Sequence, residues 1–111
     1  MNVKDRALSK IFAVLSNPTR LKIYTLILQG ACEPDPNSKA ATNCASRIAQ
    51  ELALNQPTVS NHIKELVNAN LVVIRKSGKH SYLYGVKKSS FLLFDFGSQI
   101  KGIVNLSIKS A

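Results

Sequence analysis

The stretch from Leu54 to Leu71, LNQPTVSNHIKELVNANL, constrains the fold more than any other part of this chain. It reads as an amphipathic helix that starts at Gln56-Pro57. Proline favours the first turn because it lacks the N–H that a helix cannot use there. Val59, Ile63, Leu66 and Val67 follow at i, i+4, i+7 and i+8, which is one apolar stripe. The other side carries Thr58, Asn61, His62, Lys64 and Glu65, with Ser60 on its flank. A solvated face would carry Glu and Lys pairs. This one is rich in hydrogen-bonding groups and lightly charged, a chemistry that suits base edges and phosphate oxygens.

Charge location supports that reading. The chain has 111 residues and a formal net charge of +9. Between Gln56 and Lys88 stand Lys64, Arg75, Lys76, Lys79, Lys87 and Lys88 against Glu65 alone. More than half of the excess is thus on less than a third of the chain, the pattern of a nucleic-acid footprint. The length supports one domain, residues 1–111, and the apolar content of 45% supports a folded core. No apolar run approaches a bilayer span, and MNVKDRALSK lacks the apolar region of a signal peptide. The expectation is a cytoplasmic protein whose two cysteines are reduced at rest.

Taken in order, residues 4–16 form a first helix on Leu8, Ile11, Phe12 and Leu15. Asn17 caps and Pro18 opens a second, apolar nearly all round, which runs to about Gln29 and is closed by Gly30. Residues 30–43 are irregular, with Pro34 and Pro36 breaking any period, and long for a helix–helix connection. A short third helix carries Ala45, Ile48, Ala49 and Leu52, with Asn43 as its cap. Leu54-Asn55 turns into the polar-faced helix, so residues of about 45–68 make a helix-turn-helix. Leu71–Arg75 reads as a strand, Lys76–Lys79 as a turn, and His80–Val86 as the returning strand. This basic ribbon, about 71–86, is a wing with Arg75, Lys76, Lys79 and His80 at its tip. Ser89-Ser90 then caps a last helix of about 90–108, with Leu93, Phe96, Ile100, Ile103 and Val104 as its stripe. That helix is too apolar to stand alone and asks for a second copy of the chain.

Four helices, a hairpin and a fifth helix give a mainly α winged helix-turn-helix, and the local sequences resemble the ArsR/SmtB family of repressors. The resemblance rests on Asn17-Pro18-Thr19-Arg20-Leu21-Lys22-Ile23, on Gln56 to Leu66, on Asn70-Leu71-Val72, and on Arg75 to His80 with Tyr82-Leu83-Tyr84. It implies a homodimer joined through the first and last helices. It also implies a palindromic double-stranded DNA operator and release when an inducer binds.

Sensing departs from the family pattern. Relatives carry a Glu-Leu-Cys-Val-Cys-Asp type motif at the third helix. Here the run is Asn43-Cys44-Ala45-Ser46-Arg47, with serine at the second cysteine and arginine at the acid. The last helix has Asp95 but no histidine, and both histidines, His62 and His80, lie on the nucleic-acid side. No closed four-ligand metal site can be assembled from these candidates, so no metal or cofactor is expected. Cys32 and Cys44 bracket the irregular loop and are candidates for a thiol switch, because Arg47 and a helix N-terminus favour the Cys44 thiolate. The alternative is that Cys44 is a small core residue and Cys32 a bystander in a loop.

The leading expectation is a DNA-binding transcriptional regulator. Gln56, Thr58, Ser60, Asn61 and His62 would approach bases, and Lys64, Arg75, Lys76 and Lys79, with His80 beside them, would line the phosphates. A winged-helix module that binds protein instead of DNA is the competing reading. No catalytic constellation or phosphate-binding glycine loop is recognisable, so an enzyme is not expected.

Overall fold

The fold was analysed in a computed structural model of the chain, which describes residues 2–32, 44–78 and 80–106. The elements are α1 (Val3–Leu15), α2 (Pro18–Leu28), α3 (Cys44–Leu52), α4 (Gln56–Asn68), β1 (Val72–Ser77), β2 (His80–Gly85) and α5 (Lys87–Leu106).

Asparagines write the helix starts. The side chain of Asn2 accepts the Asp5 N–H, that of Asn17 the Arg20 N–H, and that of Asn55 the Thr58 N–H, at 2.8, 3.0 and 2.8 Å. Each bond satisfies one donor that a first helical turn leaves free. Pro18 and Pro57 follow the second and third of these caps. The proposed cap Asn43 lies outside the described residues.

The ends of α2, α3 and α4 share one device, a left-handed residue whose neighbours bond back into the last turn. Gly30 (φ 90°) closes α2, with the Ala31 N–H on the Leu26 carbonyl. Asn70 (φ 60°) closes α4, with the Leu71 N–H on the Leu66 carbonyl. Ala53 (φ 55°) closes α3, with the Leu54 N–H on the Ala49 carbonyl. Ala53 is thus the pivot of the helix-turn-helix, and its Cβ is crowded in that conformation.

The core lies between α2, α3, α4 and the hairpin. Ile23, Ile27, Ile48, Val59, Leu66, Leu71 and Val72 are its most deeply buried large side chains. α2 is central as expected, though not apolar-buried all round: Leu21 and Leu28 stay exposed. α1 and α5 pack against each other at one side. Phe12 meets Phe96 edge-on with centroids 5.2 Å apart, and Lys4 Nζ lies 3.8 Å from Asp95.

The two strands pair antiparallel, from Val72 opposite Gly85 to Ser77 opposite His80. β1 therefore runs two residues past the expected Arg75, to Ser77, which pairs with His80. Gly78 takes φ 61°, which lets the ladder continue to the tip. α5 begins at Lys87, not at Ser89-Ser90. Those serines are inside its first turn and do other work: Ser89 Oγ donates to the Asn70 carbonyl at 2.7 Å, and Ser90 Oγ to Val86. The expected end near residue 108 lies outside the described residues.

Candidate nucleic-acid interface

α4 presents its two sides cleanly. Val59, Ile63 and Leu66 are buried, while Gln56, Ser60, Asn61 and Lys64 are exposed. Thr58 and His62 lie on the flanks, half-buried. Asn61 lies almost opposite the buried stripe by helical angle, and Lys64 lies on the same outer side.

Two of the side chains proposed as base-facing are also used inside the protein. Gln56 Oε1 accepts from Ser46 Oγ at 3.0 Å, which ties the start of α4 to α3. His62 Nδ1 accepts from Arg20 Nε at 3.3 Å, which ties α4 to α2. Burial and the Arg20 charge both push the His62 pKa below its ordinary value, so the ring is neutral at pH 7. Arg20 could not be read as part of this face from sequence periodicity, since it lies 42 residues away on another helix. The signal was its place beside Asn17-Pro18, within the family-like run.

The hairpin carries Arg75 and Lys76 on β1 and His80 on β2, all exposed. His80 lies beside Tyr82, ring centroids 6.2 Å apart. Lys79 lies outside the described residues. The wing is anchored to the core at its base: the Leu83 N–H donates to the Cys32 carbonyl at 3.3 Å, and the Val86 N–H to the Leu71 carbonyl at 2.9 Å.

The fold brings the two cysteines together. Cys32 and Cys44 are bonded as a disulfide with Cα atoms 5.3 Å apart, inside the range a bridge requires. Cys32 is no bystander in a loop: it is 2% exposed and Cys44 6%. The reason is the turn at the end of α2, which folds back under the hairpin and sets Cys32 against the first residue of α3. Arg47 Nη1 donates to the Ala31 carbonyl at 3.5 Å.

A polar-faced second helix after a tight turn, with a basic hairpin behind it, defines a winged helix-turn-helix. Comparison with known proteins agrees. Residues 15–75 match the model of a family described as "Helix-turn-helix domain". The chain is 34% identical over 103 residues to the arsenical resistance operon repressor of Staphylococcus xylosus, covering 92% of this chain and 84% of that one. It superposes on the crystal structure of an ArsR family transcriptional regulator with a TM-score of 0.64 at 18% identity, covering 97% of this chain and 100% of that one. It also superposes on a homodimeric winged helix-turn-helix DNA-binding domain from Mycobacterium bovis, with a TM-score of 0.60 at 23% identity and coverage of 96% and 87%. The chain belongs to the ArsR family of winged helix-turn-helix transcriptional regulators, and its function is DNA-binding regulation of transcription. Among the described residues no helix is long and apolar enough to cross a membrane.

Proposed function

We propose that the chain is a homodimeric repressor of the cytoplasm that holds a palindromic operator until a thiol-directed signal releases it. The observation that carries this reading is the division of α4, whose apolar stripe is buried while Asn61, Lys64 and Ser60 stay exposed. In this reading Asn61, Ser60 and Thr58 meet base edges, with Gln56 and His62 beside them. Lys64, Arg75, Lys76, Lys79 and His80 follow the phosphates. Operator binding needs no catalysis, and none is assigned.

The dimer is argued from α5. Ile100, Ile103 and Val104 are between 40% and 50% exposed on the face of α5 that also carries Phe96, and Phe12 of α1 packs on Phe96. So much uncovered apolar surface calls for a partner, and a second copy supplies the same stripe in return. Two α4 helices would then reach successive major grooves, about 34 Å apart on one face of the duplex.

The signal is assigned to the Cys32–Cys44 pair. Closing the bridge passes two electrons and two protons from the two thiols to a small-molecule disulfide, which leaves as two thiols, and it ties the end of α2 to the start of α3. The Cys32 carbonyl holds the wing strand, and Cys44 opens α3, the helix that Ser46 ties to the start of α4.

The test is anisotropy with a duplex that the protein selects from a random-sequence pool. Binding should weaken steeply with salt, and Lys64→Ala should reduce the log–log slope by about 1. A dithiol reductant should change the affinity of the wild type and leave Cys32→Ser/Cys44→Ser unchanged. If no duplex survives competitor DNA, the protein-interaction reading replaces this one. An affinity indifferent to reductant removes the thiol signal and leaves the repressor.

A further inference from the structure

Arg20 lies outside the helix-turn-helix, in the first turn of α2, yet its side chain reaches two other helices. Its own N–H is held by Asn17, which fixes where the side chain leaves the backbone. Nη1 donates to the Val14 carbonyl at 3.1 Å. In an unbroken helix that carbonyl would accept the N–H four residues on, but residue 18 is proline and has none. Arg20 thus completes the end of α1.

The same guanidinium donates through Nε to His62 Nδ1. A guanidinium has donors only, at every accessible pH, so Nδ1 must be the bare nitrogen of the imidazole. The ring proton is therefore on Nε2, and no described residue bonds that atom. A neutral histidine in this tautomer offers its free side as a single donor.

We propose that Arg20 is a positioning residue for DNA reading: it fixes His62 as the Nε2–H tautomer, aims one donor at an acceptor on the duplex, and braces α4 against the last turn of α1. The proposal rests on the reading of His62 as a DNA-facing residue. The acceptor is a phosphate oxygen or an acceptor on a base edge, such as guanine O6 or N7. An amino group, as on adenine N6 or cytosine N4, would be refused at this position.

Two measurements test it. The first is the pair of imidazole nitrogen shifts of His62 in the free wild-type protein at neutral pH. They should report the Nε2–H tautomer, with the bias lost in Arg20→Met; an Nδ1–H ring or an unbiased mixture in the wild type overturns the proposal without any variant having to fold. The second uses the duplex selected by the wild type. Arg20→Met should bind it about tenfold more weakly with its circular dichroism unchanged. His62→Asn keeps an acceptor near the Nδ1 position but lacks the outer donor, and should lose about as much. The double variant should lose no more than either single one, because both act through one contact. Losses that add, or an Arg20→Met protein that binds like the wild type, overturn it. Loss on the selected duplex alone marks a base acceptor, and equal loss on random duplex marks a phosphate. A wild type that selects no duplex overturns the DNA reading itself, which the nitrogen shifts do not depend on.

Discussion

α4 and α5 are both amphipathic helices, and they end up in opposite circumstances. α4 buries its stripe within its own chain: Val59 and Leu66 are fully buried and Ile63 nearly so. Along α5, Leu92, Leu93 and Phe96 are half-covered and Ile100, Ile103 and Val104 are exposed. One chain therefore finishes the reading helix and leaves the other unfinished. An apolar stripe marks a surface to be covered, and the chain that covers it need not be the one that carries it.

The contrast can be broken at several points. Leu66→Ala should cost about 2–5 kcal/mol of folding stability, because the cavity has no side chain to fill it. Ile100→Ala should cost well under half of that in dilute protein, by chemical denaturation; equal losses would mean that α5 is as complete as α4. Ile100→Asp should then separate the two helices by function. Sedimentation should report monomers, and affinity for the selected duplex should fall about a hundredfold as the second half-site is lost. An Ile100→Asp protein that stays dimeric sinks the assignment of α5 as the joining surface. The smallest effect is at the hinge into α4. Ala53→Gly should raise stability by about 0.5–1 kcal/mol, by removing the left-handed strain of an alanine at φ 55°. Its dimer constant should not change.

Much of the frame was legible because it is written in local chemistry. Asn17-Pro18 and Asn55-Gln56-Pro57 are start signals whose meaning does not depend on the rest of the fold. The start of α5 was misplaced for the converse reason. Ser89 looks like a cap, but its hydroxyl is taken by the Asn70 carbonyl, a tertiary contact that no local pattern carries. β1 was read short because Lys76 and Ser77 look like turn residues, whereas a glycine at φ 61° allows a tighter hairpin. The pivot at Ala53 gave no signal at all, since alanine there is chosen against its own preference. The exposed side of α4 was visible in its period. The bonds that occupy Gln56 and His62 were not, because Ser46 and Arg20 come from other helices. The cysteine pairing was visible as a possibility, because Cys32 and Cys44 bracket a stretch with no helical period, but their burial in the core was not.

The bare stripe on α5 also makes heat resistance a matter of dosage. In the proposed dimer each copy shelters the other, so the melting temperature should climb with protein concentration. Occupancy of the operator should rise more steeply than linearly as the chain accumulates, because two dilute copies must meet before either is complete. A cell with few copies would then hold a regulator that is both softer and slower to bind, whatever the signal at its cysteines.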